Sequence, residues 1–274
     1  MSSFRAIPAA FYVLGTVATH IDQALRMSWP WLLVAAGVRL VALLLMPVLT
    51  DELAADSTAL IGQAWDALWL YLLYSSVYTV AFASIAVNWH RYVLEEEAPG
   101  VMDLLRLDAP VWRYVWNIVL TYIGGGVIFG AAILPIAIVA RNAAAAGGER
   151  LGLMAAGATV ITAVVLVGLV VLRLAIKLPA VAVDRSGYGF FQAWLDSGGN
   201  NVRLLGFFIM VLAGIGLPFL LIEAAALYLL SLAGEGALTA GGLVLEIAGA
   251  WLITIVGATM LSVLYAVFAE GRDV

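Results

Sequence analysis

The 274-residue chain has no cysteine, only two histidines, and charged side chains at 11% of positions, where a soluble domain carries about a quarter. The missing thiols exclude a disulfide scaffold and a thiolate zinc site. They leave the compartment open, because a bilayer protein needs no disulfide on either face. The shortage of charge excludes a soluble enzyme and a disordered chain, since a folded globule of this size exposes a large area that needs polar cover. In place of charge the chain is 64% apolar, with a mean hydropathy of +1.06. Those values point to a membrane protein. The first residues lack a basic head, a short apolar stretch and a small-residue cleavage site, so the N-terminus is expected to be retained. No glycine follows Met1 and no cysteine is present to carry a lipid.

A hydrocarbon core about 30 Å thick requires roughly 20 apolar residues in a helix. Six stretches meet that length, at about 29–49, 60–87, 111–140, 151–172, 204–230 and 240–268. They are apolar all round and lack the alternation of a membrane barrel, so the expected fold class is all-α. It is a single six-helix membrane domain over residues 1–274. Pro135 and Pro218 lie within the third and fifth stretches and should bend them.

Orientation follows the basic residues. Arg5, Arg26, Arg91, Arg106, Arg113, Arg173, Lys177, Arg185, Arg203 and Arg272 fall on the side bearing the N-terminus, against Arg141 and Arg150 opposite. Both termini are therefore expected in the cytoplasm of a bacterial cell, in its inner membrane. Asp51, Glu52, Asp56 and Glu235 leave the opposite loops acidic. Trp29, Trp31, Trp89, Trp112, Trp116 and Trp194 mark the inner boundary, and Trp65, Trp69 and Trp251 the outer one, as aromatic belts or as helix packing.

Residues 7–28 read as an amphipathic helix, with Phe11, Leu14, Ala18, Ile21 and Leu25 on one stripe and Thr16, His20, Gln23 and Arg26 on the other. Asp22 and Arg26 are spaced to pair. The helix is expected in the cytoplasmic headgroup plane, with a partner-docking face as the alternative. Val101, Leu104 and Leu105, and again Phe190, Phe191, Trp194 and Leu195, form similar apolar ridges before an outward span. The chain thus reads as three units of interfacial helix plus hairpin, a pattern that alone does not signify transport.

The stretch Pro179 to Asp184, then Gly187, Ala193, Trp194, Ser197, Asn200 and Arg203, together with Asn88 to Tyr92, resembles a group of six-helix bacterial inner-membrane proteins. The group includes a membrane domain found fused to glycerophosphodiester phosphodiesterases. The resemblance implies a fold and a location. It implies no phosphodiesterase activity, because no segment resembles the soluble catalytic domain.

Ionisable residues at hydrocarbon depth are costly and mark candidate sites. Arg39, Asp66, Glu223 and Glu246 are the four, and the carboxylates share a depth of about 9–10 Å below the outer boundary. Arg39 is expected to meet Glu223 or Glu246 in an outer-leaflet cluster, either as a structural pair or as part of a pathway. Arg91, Arg173, Lys177 and Arg203 are candidates for anionic lipid contact, with positive-inside anchoring the competing account.

Other motifs are discounted. Gly124 to Gly126 lie in an apolar run without the lysine of a phosphate loop, and Gly126 with Gly130 reads as a helix contact. Ala248 to Ala250 and Gly257 with Ala258 offer a second such surface, internal or between copies. His20 and His90 lack a second ligand at metal spacing, so no metal and no cofactor is expected. Ser197, His90 and Asp196 carry no nucleophile signature, and Glu95 to Glu97 read as a solvated turn. Acidic residues balance the basic side, which disfavours nucleic acid. The expected function is non-enzymatic: a membrane-organising or accessory protein binding lipid, a membrane partner or another copy of itself. A small transporter or lipid-handling protein using the charged cluster is the alternative.

Overall fold

A computed structural model describes residues 4–51, 60–185 and 187–273. The described residues form helices joined by short connections, with no strand among them. Six helical segments are long and apolar enough to cross a membrane, at Ile21–Leu45, Leu68–Glu95, Asp103–Ala146, Arg150–Ala182, Asn201–Ala233 and Glu235–Phe268. The protein is therefore an all-α polytopic membrane protein, in agreement with the sequence pattern.

The first helices are α1 (Ala6–Thr19), α2 (Ile21–Asp51) and α3 (Leu60–Glu95), followed by a 3-10 turn at Val101–Leu105. Next come α4 (Ala109–Gly147), α5 (Glu149–Ala175), the short α6 (Lys177–Ala182) and α7 (Phe190–Asp196). The fifth span is α8 (Asn201–Val211), a π-turn at Leu212–Gly216 and α9 (Leu217–Ala233), and α10 (Glu235–Phe268) closes the chain. Phe4 packs on Phe268 with ring centroids 5.3 Å apart, so the described chain ends meet at one end of the bundle, here the near end. The hairpins α4–α5 and α9–α10 turn at the far end, each through one glycine at positive φ: Gly148 at 80° and Gly234 at 107°. A side chain is strained in that conformation, and glycine is not.

The hub is α3. Trp31 Nε1 on α2 donates to Ser84 Oγ at 2.7 Å, and Trp89 Nε1 on α3 donates to Thr259 Oγ1 of α10 at 2.8 Å. Both bonds are buried, where an unmade bond would cost about 1–3 kcal/mol. These indoles therefore belong to helix packing, whereas Trp29, Trp65, Trp69, Trp112 and Trp116 are exposed as boundary residues should be. The short α6 closes the near end: Leu178, Pro179, Ala180 and Ala182 are all buried against α3, α4 and α10.

The N-terminal helix departs from expectation in two ways. It stops at Thr19, and α2 begins at Ile21 rather than after residue 28. His20 is the joint, held by the Tyr92 hydroxyl 3.0 Å from its Nδ1. The face of α1 that packs on α8 and α10 is Ala9, Ala10, Val13 and Val17, while Phe11, Ile21 and Leu25 point outward. Small side chains allow the close helix approach that packing in a membrane requires, so the bulky stripe, Leu14 against Gly214 apart, is left for the surroundings. Asp22 and Arg26 are exposed and form no ion pair among the described residues.

Proline acts differently in its two spans. Pro135 lies within an uninterrupted α4, whereas Pro218 is the second residue after the π-turn. A proline ring collides with the carbonyl four residues earlier and lacks the N–H that would bond it. A one-residue widening of the helix relieves both problems. The glycine contact in α4 is also shifted by one residue. A Cβ on Gly126 or Gly130 would meet nothing within 4 Å, while one on Gly125 would lie 2.7 Å from Val171 Cγ2 of α5.

Candidate functional site: a charged pair above a lateral crevice

Arg39 of α2 and Glu246 of α10 meet. Arg39 Nε donates to both carboxylate oxygens at 3.0 Å, and the Tyr74 hydroxyl donates to Oε1 at 3.3 Å. The guanidinium also lies 5.5 Å from the centre of the Tyr74 ring. Arg39 lies twelve residues before Asp51, the last residue of α2, and so well inside the apolar part of that helix. The pair is not sealed: the side chains are 27% and 40% exposed, and with Ala42, Leu70 and Tyr71 they line a cleft of about 270 Å³. Glu223 lies on α9, half-buried, and forms no ion pair among the described residues. Asp66 belongs to α3, but its side chain lies outside the described residues.

Below the pair runs a second, larger hollow. Tyr74 stacks on Tyr78 and Tyr78 on Phe82, with centroids 5.3 and 4.5 Å apart, as residues four apart on one helix face do. Tyr78 and Phe82 line a crevice of about 530 Å³ whose other walls are α4, α5, α6 and α10. It exists because α4 and α5 pack mainly on each other and touch the rest of the bundle chiefly through α3, α6 and α7. On α10 its wall is Ala250, Ile253, Thr254, Gly257, Ala258 and Leu261. The volume falls within the ~300–1,000 Å³ typical of small-ligand sites. Among the described residues no histidine, aspartate or glutamate lines it.

At the near end of the crevice Tyr114 separates it from a buried polar set. The Tyr114 hydroxyl is 2.9 Å from His90 Nε2, and His90 Nδ1 is 2.8 Å from Ser262 Oγ. Both ring nitrogens are thereby occupied, and His90 and Ser262 are fully buried. Ser197 lies elsewhere, accepting from Arg173 Nε at 3.0 Å, so Ser197, His90 and Asp196 do not form a catalytic set. The described residues hold no cluster of metal-ligating side chains.

The four residues expected to contact anionic lipid divide. Arg91 donates to Glu97 at 2.9 Å, to the Ala182 carbonyl at 3.2 Å and to Asp184 at 3.3 Å. Arg173 is 6% exposed, its guanidinium 3.6 Å from the Trp194 ring centre and bonded to Ser197, Asn201 and the Trp194 carbonyl. Both cations are thus engaged with protein, because at a buried helix junction an arginine fork satisfies carbonyls that would otherwise lack donors. Lys177, half-buried, lies over Phe190 at 4.1 Å, and Arg203 donates to Asn200 at 3.3 Å, so Arg203 alone of the four is exposed.

Sequence reasoning missed the ion-pair layer at the near end. Glu97, expected in a solvated turn, bonds Arg91, while Glu95 lies 3.8 Å from Arg185, and Glu270 binds both Arg185 and Arg272. Asp184, at φ 57°, also binds Arg113. The near-zero charge balance of that side was the available signal, but it does not specify partners. Comparison of the chain with protein-family models, with curated proteins and with solved structures returns no match.

Proposed function

We propose that the protein is a non-enzymatic, membrane-organising protein that binds bilayer lipid, seated in a bacterial inner membrane with its near end in the cytoplasm. The observation that carries this reading is the lateral crevice: about 530 Å³ at hydrocarbon depth, walled by aliphatic and aromatic side chains and by threonines. Two of those threonines, Thr121 and Thr254, donate to the carbonyls four residues back, at 2.8 Å each. A water needs two to four polar partners to be held, whereas an acyl chain needs none. The excess of Lys and Arg at the near end supports the orientation. The outward apolar face of α1, with Ile7, Phe11 and Tyr12, supports contact with lipid at that boundary or with a membrane partner.

Transport is the second reading, favoured by the broken fifth span, because transporters build sites at discontinuous helices. Against it, the break is occupied by Leu14 of α1 and no carboxylate lies in its five residues. Catalysis has less support, because His90 and Ser262 have no exposed surface on which to meet a substrate.

The test is purification of the full chain in its native lipid, followed by identification of every co-purifying lipid and protein. Lipid retained at fixed stoichiometry is expected. A lipid-free protein whose thermal stability rises with one ion would overturn the reading in favour of transport.

A further inference from the structure

Two observations bear on which lipid the protein takes. First, the Arg39–Glu246 pair is only partly covered, with the carboxylate 40% exposed at a depth where the surroundings are hydrocarbon. Charges there are costly unless further polar groups meet them. Second, the pair and the crevice lie on one seam. The Tyr74–Tyr78–Phe82 ladder on α3 leads from one to the other, and on α10 Ala250, the first crevice residue, is one turn below Glu246. From Ala250 to Leu261 the crevice wall on α10 is about 16 Å long, close to the half-thickness of an approximately 30 Å core.

We propose that this seam is a binding site for one zwitterionic phospholipid. One acyl chain lies in the crevice, and the phosphoethanolamine headgroup is drawn inward to the Arg39–Glu246 pair. Charge complementarity selects the zwitterion. The phosphate faces the guanidinium, and the ammonium faces the carboxylate and the rings of Tyr71 and Tyr74, whose π-faces attract cations. An anionic headgroup would satisfy Arg39 alone and bring its charge against Glu246. The chain end needs no polar partner and ends above Tyr114, whose hydroxyl is already committed to His90. This inference rests on the lipid-binding reading above and adds to it a headgroup and a position.

The experiment uses the full chain in nanodiscs of equal phosphatidylethanolamine and phosphatidylglycerol, released and weighed by native mass spectrometry. One phosphatidylethanolamine per protein is expected, in about tenfold preference over phosphatidylglycerol. Gly257→Leu projects a side chain into the crevice, where a Cβ meets nothing within 4 Å. It should abolish retention, while Gly257→Ala retains the lipid. Arg39→Gln/Glu246→Gln should remove the headgroup preference and keep a bound lipid of either kind. Retention by Gly257→Leu equal to that of the unchanged protein would overturn the site and leave the lipid-binding reading standing. No lipid on the unchanged protein would overturn both. A bound lipid without headgroup preference would overturn the role of the charged pair.

Discussion

Leu14 of α1 fills the notch that Gly214 leaves in the π-turn of the fifth span. A Cβ built on Gly214 would lie 2.9 Å from Leu14 Cδ1 and 3.0 Å from Cδ2. The contact explains how an N-terminal helix remains fixed to a bundle when both are bathed in lipid. With no hydrophobic drive between apolar surfaces in hydrocarbon, association depends on shape and dispersion.

Gly214→Leu should therefore displace α1, at a cost of about 1–3 kcal/mol for an overfilled contact. Leu14→Ala should recover part of that loss when combined with it. Limited proteolysis near His20 and the unfolding midpoint in nanodiscs report the outcome. Equal protection of α1 in Gly214→Leu and the unchanged protein would show that the notch does not position the helix.

The spans were legible in the sequence because hydrocarbon imposes a length and an all-round apolar composition that any folded arrangement must satisfy. The face of α1 was not. Helical periodicity separates apolar from polar stripes, but α1 has apolar residues on both sides, and the choice between Val13 and Phe11 is made by how closely α8 can approach. Of the charged cluster, the position of Arg39 and Glu246 within apolar helices could be read by counting residues. The pairing with Glu246 rather than Glu223 could not, because it depends on α2 lying beside α10. The crevice left no signal in the sequence at all, since it arises from the separation of the α4–α5 hairpin and not from any residue type.

Arg39→Ala and Glu246→Ala should each destabilise the protein by more than half of what the double variant costs, with a coupling of about 1–3 kcal/mol. Each single change leaves a partner charge without its counter-ion, whereas the double removes both. Glu223→Gln should change the midpoint by less than about 0.5 kcal/mol, the usual size at an uncoupled position. Strict additivity of the Arg39 and Glu246 losses in thermal unfolding would contradict the observed contact.

Replacing His90 with phenylalanine keeps the ring volume but leaves the Ser262 and Tyr114 hydroxyls buried without their partner. The expected cost is about 1–3 kcal/mol per abandoned group. The double variant His90→Phe/Ser262→Ala should recover part of the loss. If Ser262→Ala only adds to the damage, the bond between these two side chains contributes nothing to stability.

Arg173→Lys preserves the charge and removes the planar fork that reaches Ser197, Asn201 and the Trp194 carbonyl together. Amide exchange in Phe190–Asp196 should speed up by about tenfold, as a local opening made easier by roughly 1.4 kcal/mol requires. Exchange in α10 should be unchanged. Protection of α7 identical to that of the unchanged protein would mean that the guanidinium does not hold this helix.

Topology can be tested without removing any native thiol, because the chain has none. Single variants Asp273→Cys at the near end, and Ala145→Cys and Glu235→Cys at the far end, each place a reactive group at an exposed position or at a turn between spans. Six crossings put positions 145 and 235 on one face and 273 on the other. In intact spheroplasts a charged, membrane-impermeant maleimide should label 145 and 235, while 273 reacts only after lysis, the pattern that the ten near-end basic residues dictate. Labelling of 273 alone would preserve the six spans and reverse the orientation. Labelling that separates 145 from 235 would break the pairing of the hairpins and with it the count of six.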